Sequence, residues 1–92
     1  HHADWQRRAA TLDALQSAGL DATLYAAAER CLGDEHWLVR MMALRLLARQ
    51  GDRMLERAKA IATDDPDELV RLLARSYVAR WTRFAPATPT AP

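Results

Sequence analysis

The run Asp34-Glu35-His36-Trp37-Leu38-Val39-Arg40 returns 31 positions later, from 34 to 65, as Asp65-Pro66-Asp67-Glu68-Leu69-Val70-Arg71. In both copies an Asp stands six residues before an Arg, a Val precedes that Arg, and an Ala follows three residues on, at Ala43 and Ala74. A period of this length marks a repeat architecture, in which each unit is one supersecondary element that buries its apolar face only against its neighbours. The repeat therefore constrains the fold far more tightly than it constrains the partner.

Around the two copies the chain reads as helix throughout. The three glycines, Gly19, Gly33 and Gly51, each follow an apolar-periodic run, the position where a helix stops. The pattern predicts a first helix from Asp4 to Ala18, a second from Asp21 to about Leu32, and a third from Glu35 to Gln50 capped by Asp34. A shorter fourth begins at Asp52 and runs to about Thr63, and a fifth follows Asp65 as cap, with Pro66 in its first turn and Glu68 three residues after the cap. At 100° per residue the inward faces are Ala10, Thr11, Ala14 and Ala18, with Leu15 beside them, then Leu24, Ala27, Ala28 and Cys31. They continue as Val39, Met42, Ala43, Leu46 and Leu47, then Leu55, Ala58, Ile61 and Ala62, and finally Val70, Leu73, Ala74, Tyr77, Val78 and Trp81. No alternating run of β-branched residues reads as strand. Short connections make each helix antiparallel to the next.

The Asp followed by Val-Arg five and six residues later resembles the turn and second helix of a HEAT repeat, including the bacterial kind found in phycobilin-lyase-like proteins. Asp34, Val39 and Arg40 match in one unit, and Asp65, Val70 and Arg71 in the next. The resemblance covers roughly residues 20 to 84. It implies an all-α fold, a short right-handed α-solenoid of antiparallel helix hairpins with about five helices; a plain five-helix bundle is the alternative. The implied organisation is a lone helix at 4–18, a repeat at 20–50, a repeat at 51–84, and a Pro/Thr-rich tail or linker at 85–92. Residues 1–3, with His1 and His2 at their head, read as a tag remnant. The lone helix fits the second-helix slot, because Trp5, Arg8, Leu12, Leu15 and Gly19 recur 32 positions later, from 5 to 37, as Trp37, Arg40, Leu44, Leu47 and Gly51. It departs from the pattern at His2, which stands where the Asp of that unit belongs. In HEAT arrays the matching residues form a ladder, each Arg bridging to the Asp of a neighbouring unit, so the resemblance implies a structural role for Asp34, Val39, Arg40, Asp65, Val70 and Arg71.

Chemistry is hard to assemble from what is left. Of the three His residues only His36 lies inside the repeats, and no Cys or second His accompanies it at ligand spacing. Most of the carboxylates sit at helix starts, and the glycines are helix stops rather than a phosphate-cradling loop. The expectation is a non-enzyme without metal or cofactor. Cys31 stands alone, which rules out an intrachain disulfide and leaves the compartment open, a cytoplasmic one being favoured. No apolar run reaches the roughly 20 residues that a membrane span needs.

What the hairpins do not use lies opposite Val39 and Leu46. There Trp37, Met41 and Leu44 fall together with Arg45 at the edge; the first helix repeats the pattern with Trp5 and Leu12, and the fifth offers Leu72 and Arg75. In a HEAT solenoid this side of the second helices lines the concave surface. The resulting expectation is an apolar, Trp-containing, Arg-rimmed surface of the composition found at protein-binding hot spots. The function expected is a non-catalytic protein-interaction or scaffold module, its partner a second protein or flanking domains of the parent chain. Nucleic-acid binding is the alternative, since some HEAT-like proteins grip DNA through the concave face; here it would use Arg40, Arg45, Arg49, Arg75, Arg80 and Arg83. Against it, 13 basic residues are set against 12 acidic ones, for a net charge of +1. A third alternative, a chromophore lyase or lyase accessory, rests on the resemblance only.

Overall fold

The computed structural model describes residues 4–17 and 21–83. The described residues form five α-helices: α1 (Trp5–Leu15), α2 (Ala22–Cys31), α3 (Trp37–Leu47), α4 (Leu55–Asp64) and α5 (Glu68–Arg83), with a 3-10 stretch at Ala48–Met54 between α3 and α4. They fall into two compact units, His1–Gln50 and Gly51–Pro92. The expected tag remnant at 1–3, the stop at Gly19 and the tail at 85–92 lie outside the described residues.

In the first unit α3 is the central element, packed against both α1 and α2. Its sequence is apolar on more than one face, as a helix between two neighbours must be. Val39, Ala43, Leu44, Leu46 and Leu47 are all fully buried. The expected stripe on α3 holds except at Met42, which is half-buried, and the buried arc is shifted to take in Leu44. On α1 the packing face differs from the expected one. Ala10, Thr11 and Ala14 are exposed, whereas Ala9 and Leu12 are buried. An alanine stripe offers little area to remove from water, so the helix turns its larger Trp5, Arg8 and Leu12 side toward α3.

The helix starts differ from expectation in a consistent way. Asp34 does not cap α3: its Oδ1 accepts the His36 N–H at 2.9 Å, and it is His36 that caps, Nδ1 accepting the Leu38 N–H at 3.1 Å. Asp65 behaves identically, Oδ1 accepting the Asp67 N–H at 2.9 Å, while Asp67 Oδ1 takes the Leu69 N–H at 2.8 Å and the Val70 N–H at 3.4 Å. A carboxylate that bonds two residues ahead makes an Asx turn, which postpones the first helical turn. At α2 the simpler expectation holds, with Asp21 Oδ1 accepting from Leu24 N at 2.8 Å. Asp4 stands before α1 without a side-chain capping bond.

Gly51 breaks the 3-10 stretch with φ 73° and ψ −148°, a conformation available essentially to glycine alone. The chain resumes as 3-10 turn through Asp52 and Arg53, so α4 begins at Leu55 rather than at Asp52. In the second unit α4 and α5 pack against one another as a hairpin, with Met54, Ala58, Val70 and Ala74 buried. Leu55, Ile61, Leu73, Tyr77, Val78 and Trp81 are half-buried, and the Tyr77 and Trp81 rings stack at 5.4 Å.

Candidate functional site

The seven-residue motif makes the same internal bonds in both units. Arg40 Nη1 donates to the Asp34 carbonyl at 2.8 Å, and Arg71 Nη1 donates to the Asp65 carbonyl at 2.6 Å. Val39 and Val70 are buried beside them. Arg40 and Asp65 are themselves almost fully buried, at 8% and 9% exposure. The hydrogen bonds meet the requirement that a buried polar group be satisfied internally.

The first unit adds a charge pair. Arg8 of α1 donates from Nε to Asp34 Oδ2 at 2.6 Å and from Nη2 to Oδ1 at 3.0 Å, a bidentate contact across helices. Burial opposes ionisation of the Asp34 carboxyl, but the Arg8 hydrogen bonds and the His36 N–H bond outweigh it and hold the group below its ordinary value. The same hydrogen bond raises Arg8. Burial pushes the Cys31 thiol up, the neighbouring Asp34 charge adding to it. A thiol so placed is a weak nucleophile.

Above this pair the aromatic side chains form a stack. The Trp5 and His36 rings lie 3.8 Å apart and within 7° of parallel, and Trp37 follows at 6.0 Å from His36. All three are half-buried, as is Met41 one turn after Trp37, while Arg45 is exposed one turn further. Beside the stack is a cavity of about 130 Å³ lined by Trp5, Arg8, Glu35 and His36. Between α1 and α2 lies an apolar cavity of about 260 Å³ whose lining includes Leu12, Leu15, Leu24 and Cys31. Both are smaller than the roughly 300–1,000 Å³ in which drug-sized ligands and cofactors are held.

Among the expected surface residues, Trp5, Trp37, Met41 and Arg45 thus share the first unit and keep part of their surface. Leu12 and Leu44 do not belong with them: they are 3% and 0% exposed and are part of the core, because α3 is flanked on two sides. Leu72, at 46% exposure, and exposed Arg75 lie on α5 in the second unit. The capping bond of His36 and its place in the stack were not expected; the signal for them is its position directly before Trp37, in the slot that Asp67 fills in the second copy. Several arginines of the nucleic-acid alternative are engaged elsewhere. Arg40 is turned inward, Arg49 Nη1 donates to the Gln16 carbonyl, and Arg80 sits 5.6 Å over the Tyr77 ring.

A family model of HEAT repeats matches residues 1–79. The chain belongs to the HEAT-repeat family. The match reaches further toward the N-terminus than the motif alone suggested, covering α1 as well as the two copies of the motif. HEAT repeats are in general protein-interaction scaffolds and typically non-catalytic, and the all-α hairpins of this HEAT chain agree with the α-solenoid class. No curated protein and no solved structure matches the chain at a significant level. Among the described residues no group of three or more His, Cys, Asp or Glu is placed to hold a metal, and no helix is long and apolar enough to cross a membrane.

Proposed function

We propose that this HEAT chain is a protein-docking module whose first unit engages a partner through Trp5, His36, Trp37, Met41 and Arg45. The observation that supports this most directly is the parallel stack of Trp5 on His36, extended by Trp37. Three half-buried rings in series form a rigid, amphipathic surface that loses little conformational entropy on binding. Arg45, exposed two turns after Trp37, supplies a rim charge.

The test is an affinity capture from extract of the source cells, comparing the unaltered chain with Trp37→Ala and Met41→Ala. Loss of a reproducible partner by a variant that keeps the original melting temperature supports the reading. Variants that melt several degrees lower, or that capture the same partner undiminished, sink it. The nucleic-acid alternative is checked in parallel by titrating duplex DNA at several salt concentrations, since phosphate contacts require a steep dependence.

A further inference from the structure

The second unit carries a different surface from the aromatic stack. Between α4 and α5 runs a broad groove of about 640 Å³, open to solvent, lined by Lys59, Ala62 and Thr63 on one side and Arg75, Val78 and Ala79 on the other. Its floor is aliphatic and mostly small, which lets a visiting backbone come close. Its two walls each end in a cation. Arg75 is exposed and makes no hydrogen bond or ion pair among the described residues. Among the described residues the Lys59 ammonium has one exposed contact, with Glu56 at 3.3 Å, of a kind that contributes little. Leu72, one turn before Arg75 on the same face, is 46% exposed and continues the apolar strip. Beyond Glu68 the α5 sequence holds Arg71, Arg75, Arg80 and Arg83 and no carboxylate.

We infer that the α4–α5 groove docks an acidic amphipathic helix of a partner protein. Small apolar side chains along one face of that helix would rest on Ala62, Val78 and Ala79, and flanking carboxylates would pair with Lys59 and Arg75. The charge complementarity specifies the flanks. The groove between two packed helices specifies the element, because the ridge of a third helix is what such a groove accommodates. A small molecule would be poorly enclosed by so open a site. A phosphate backbone would satisfy the cations but leave the aliphatic floor without a partner. The inference rests on the reading of the chain as a docking module but not on the Trp37 surface, since the groove lies wholly within the second unit.

The experiment is a fluorescence-anisotropy titration of the full chain with a labelled synthetic helix of about 18 residues, Ala and Leu along one face with Glu on both flanks. A Glu→Gln peptide, a Glu→Lys peptide and a single-stranded oligonucleotide serve as comparisons. The Glu peptide is expected to bind in preference to all three. Arg75→Glu and Lys59→Glu, both at exposed positions, should each weaken it about threefold to fivefold, and the double reversal about tenfold or more. The Trp37→Ala variant should bind it unchanged. Equal binding of the Gln peptide, indifference to Arg75→Glu, or loss on Trp37→Ala instead of Arg75→Glu overturns the inference. So does an oligonucleotide that binds more tightly and through the same two residues. Failure here leaves the capture experiment on Trp37 untouched, and failure there leaves this titration interpretable.

Discussion

Arg8 holds both carboxylate oxygens of Asp34, Nε at 2.6 Å from Oδ2 and Nη2 at 3.0 Å from Oδ1. Asp34 also accepts the His36 N–H, so one side chain fixes the α1–α3 contact and the turn that leads into α3. Replacing Asp34 with Ala leaves a part-buried N–H and a guanidinium without their acceptor, and should cost about 1–3 kcal/mol in urea unfolding. Arg8→Ala should cost less, and the two should be non-additive in a double-mutant cycle. Additive losses would show that the pair is not coupled.

Acid should weaken the same contact. The Asp34 carboxyl is held below its ordinary 3.8, so its contribution to stability is complete above that value and disappears as pH falls through the lower, folded one. Asp34→Asn keeps an acceptor for the His36 amide but has no charge to lose. The stability gap between the unaltered chain and Asp34→Asn is therefore expected to narrow from about pH 5 toward about pH 2. Urea midpoints measured across that range decide it; a gap that widens toward acid contradicts the assignment.

His36 combines two roles, the cap of α3 and the middle ring of the stack. His36→Ala removes both and should cost about 1–2 kcal/mol. His36→Asn restores a good capping side chain without the ring, so it should recover most of the stability while still failing in the capture experiment. If Asn recovers nothing, the cap is not what His36 contributes to folding.

At Gly51 a Cβ would meet no atom within 4 Å, so a substitution there acts on the backbone alone. With φ at 73° an L-residue is strained, and Gly51→Ala should destabilise by about 1–2 kcal/mol. D-alanine, introduced by chemical synthesis, finds the mirror of an ordinary extended conformation and should be neutral or slightly stabilising. Thermal melts of the two give opposite signs if the conformation is as described, and the same sign if it is not.

Leu44 and Leu72 illustrate how far the sequence could be read. Both fell on the expected surface, yet Leu44 is fully buried and Leu72 is 46% exposed. Leu44→Ala should cost about 2–5 kcal/mol and Leu72→Ala about 0.5 or less. Helix number, the core stripe of α3 and the doubled motif were legible, because periodicity and glycine stops are local properties. The number of neighbours a helix has is not local. One-face counting assigned Leu12 and Leu44 to the outside because it allowed α3 a single partner, whereas α3 has two. The correspondence of Trp5, Arg8 and Leu12 with Trp37, Arg40 and Leu44 did contain the correction, since positions that match in a repeat share a face. The caps were misread for a chemical reason: aspartate is a strong capping residue, and its alternative use in an Asx turn leaves no separate mark. Sliding the chain by 31 positions, from 36 to 67, does pair His36 with Asp67, the residue that does cap.

The Asp-to-Arg loop repeats the same three hydrogen bonds inside seven residues, 34 to 40 in one copy and 65 to 71 in the other. Each hairpin consequently carries the bonds of its own turn within the motif. A duplicated stretch carries those bonds along with it. His36 stands where the other copy has Asp67, and it makes the same cap while its ring lies between two tryptophans: the grammar of the turn is kept with a vocabulary of stacked rings.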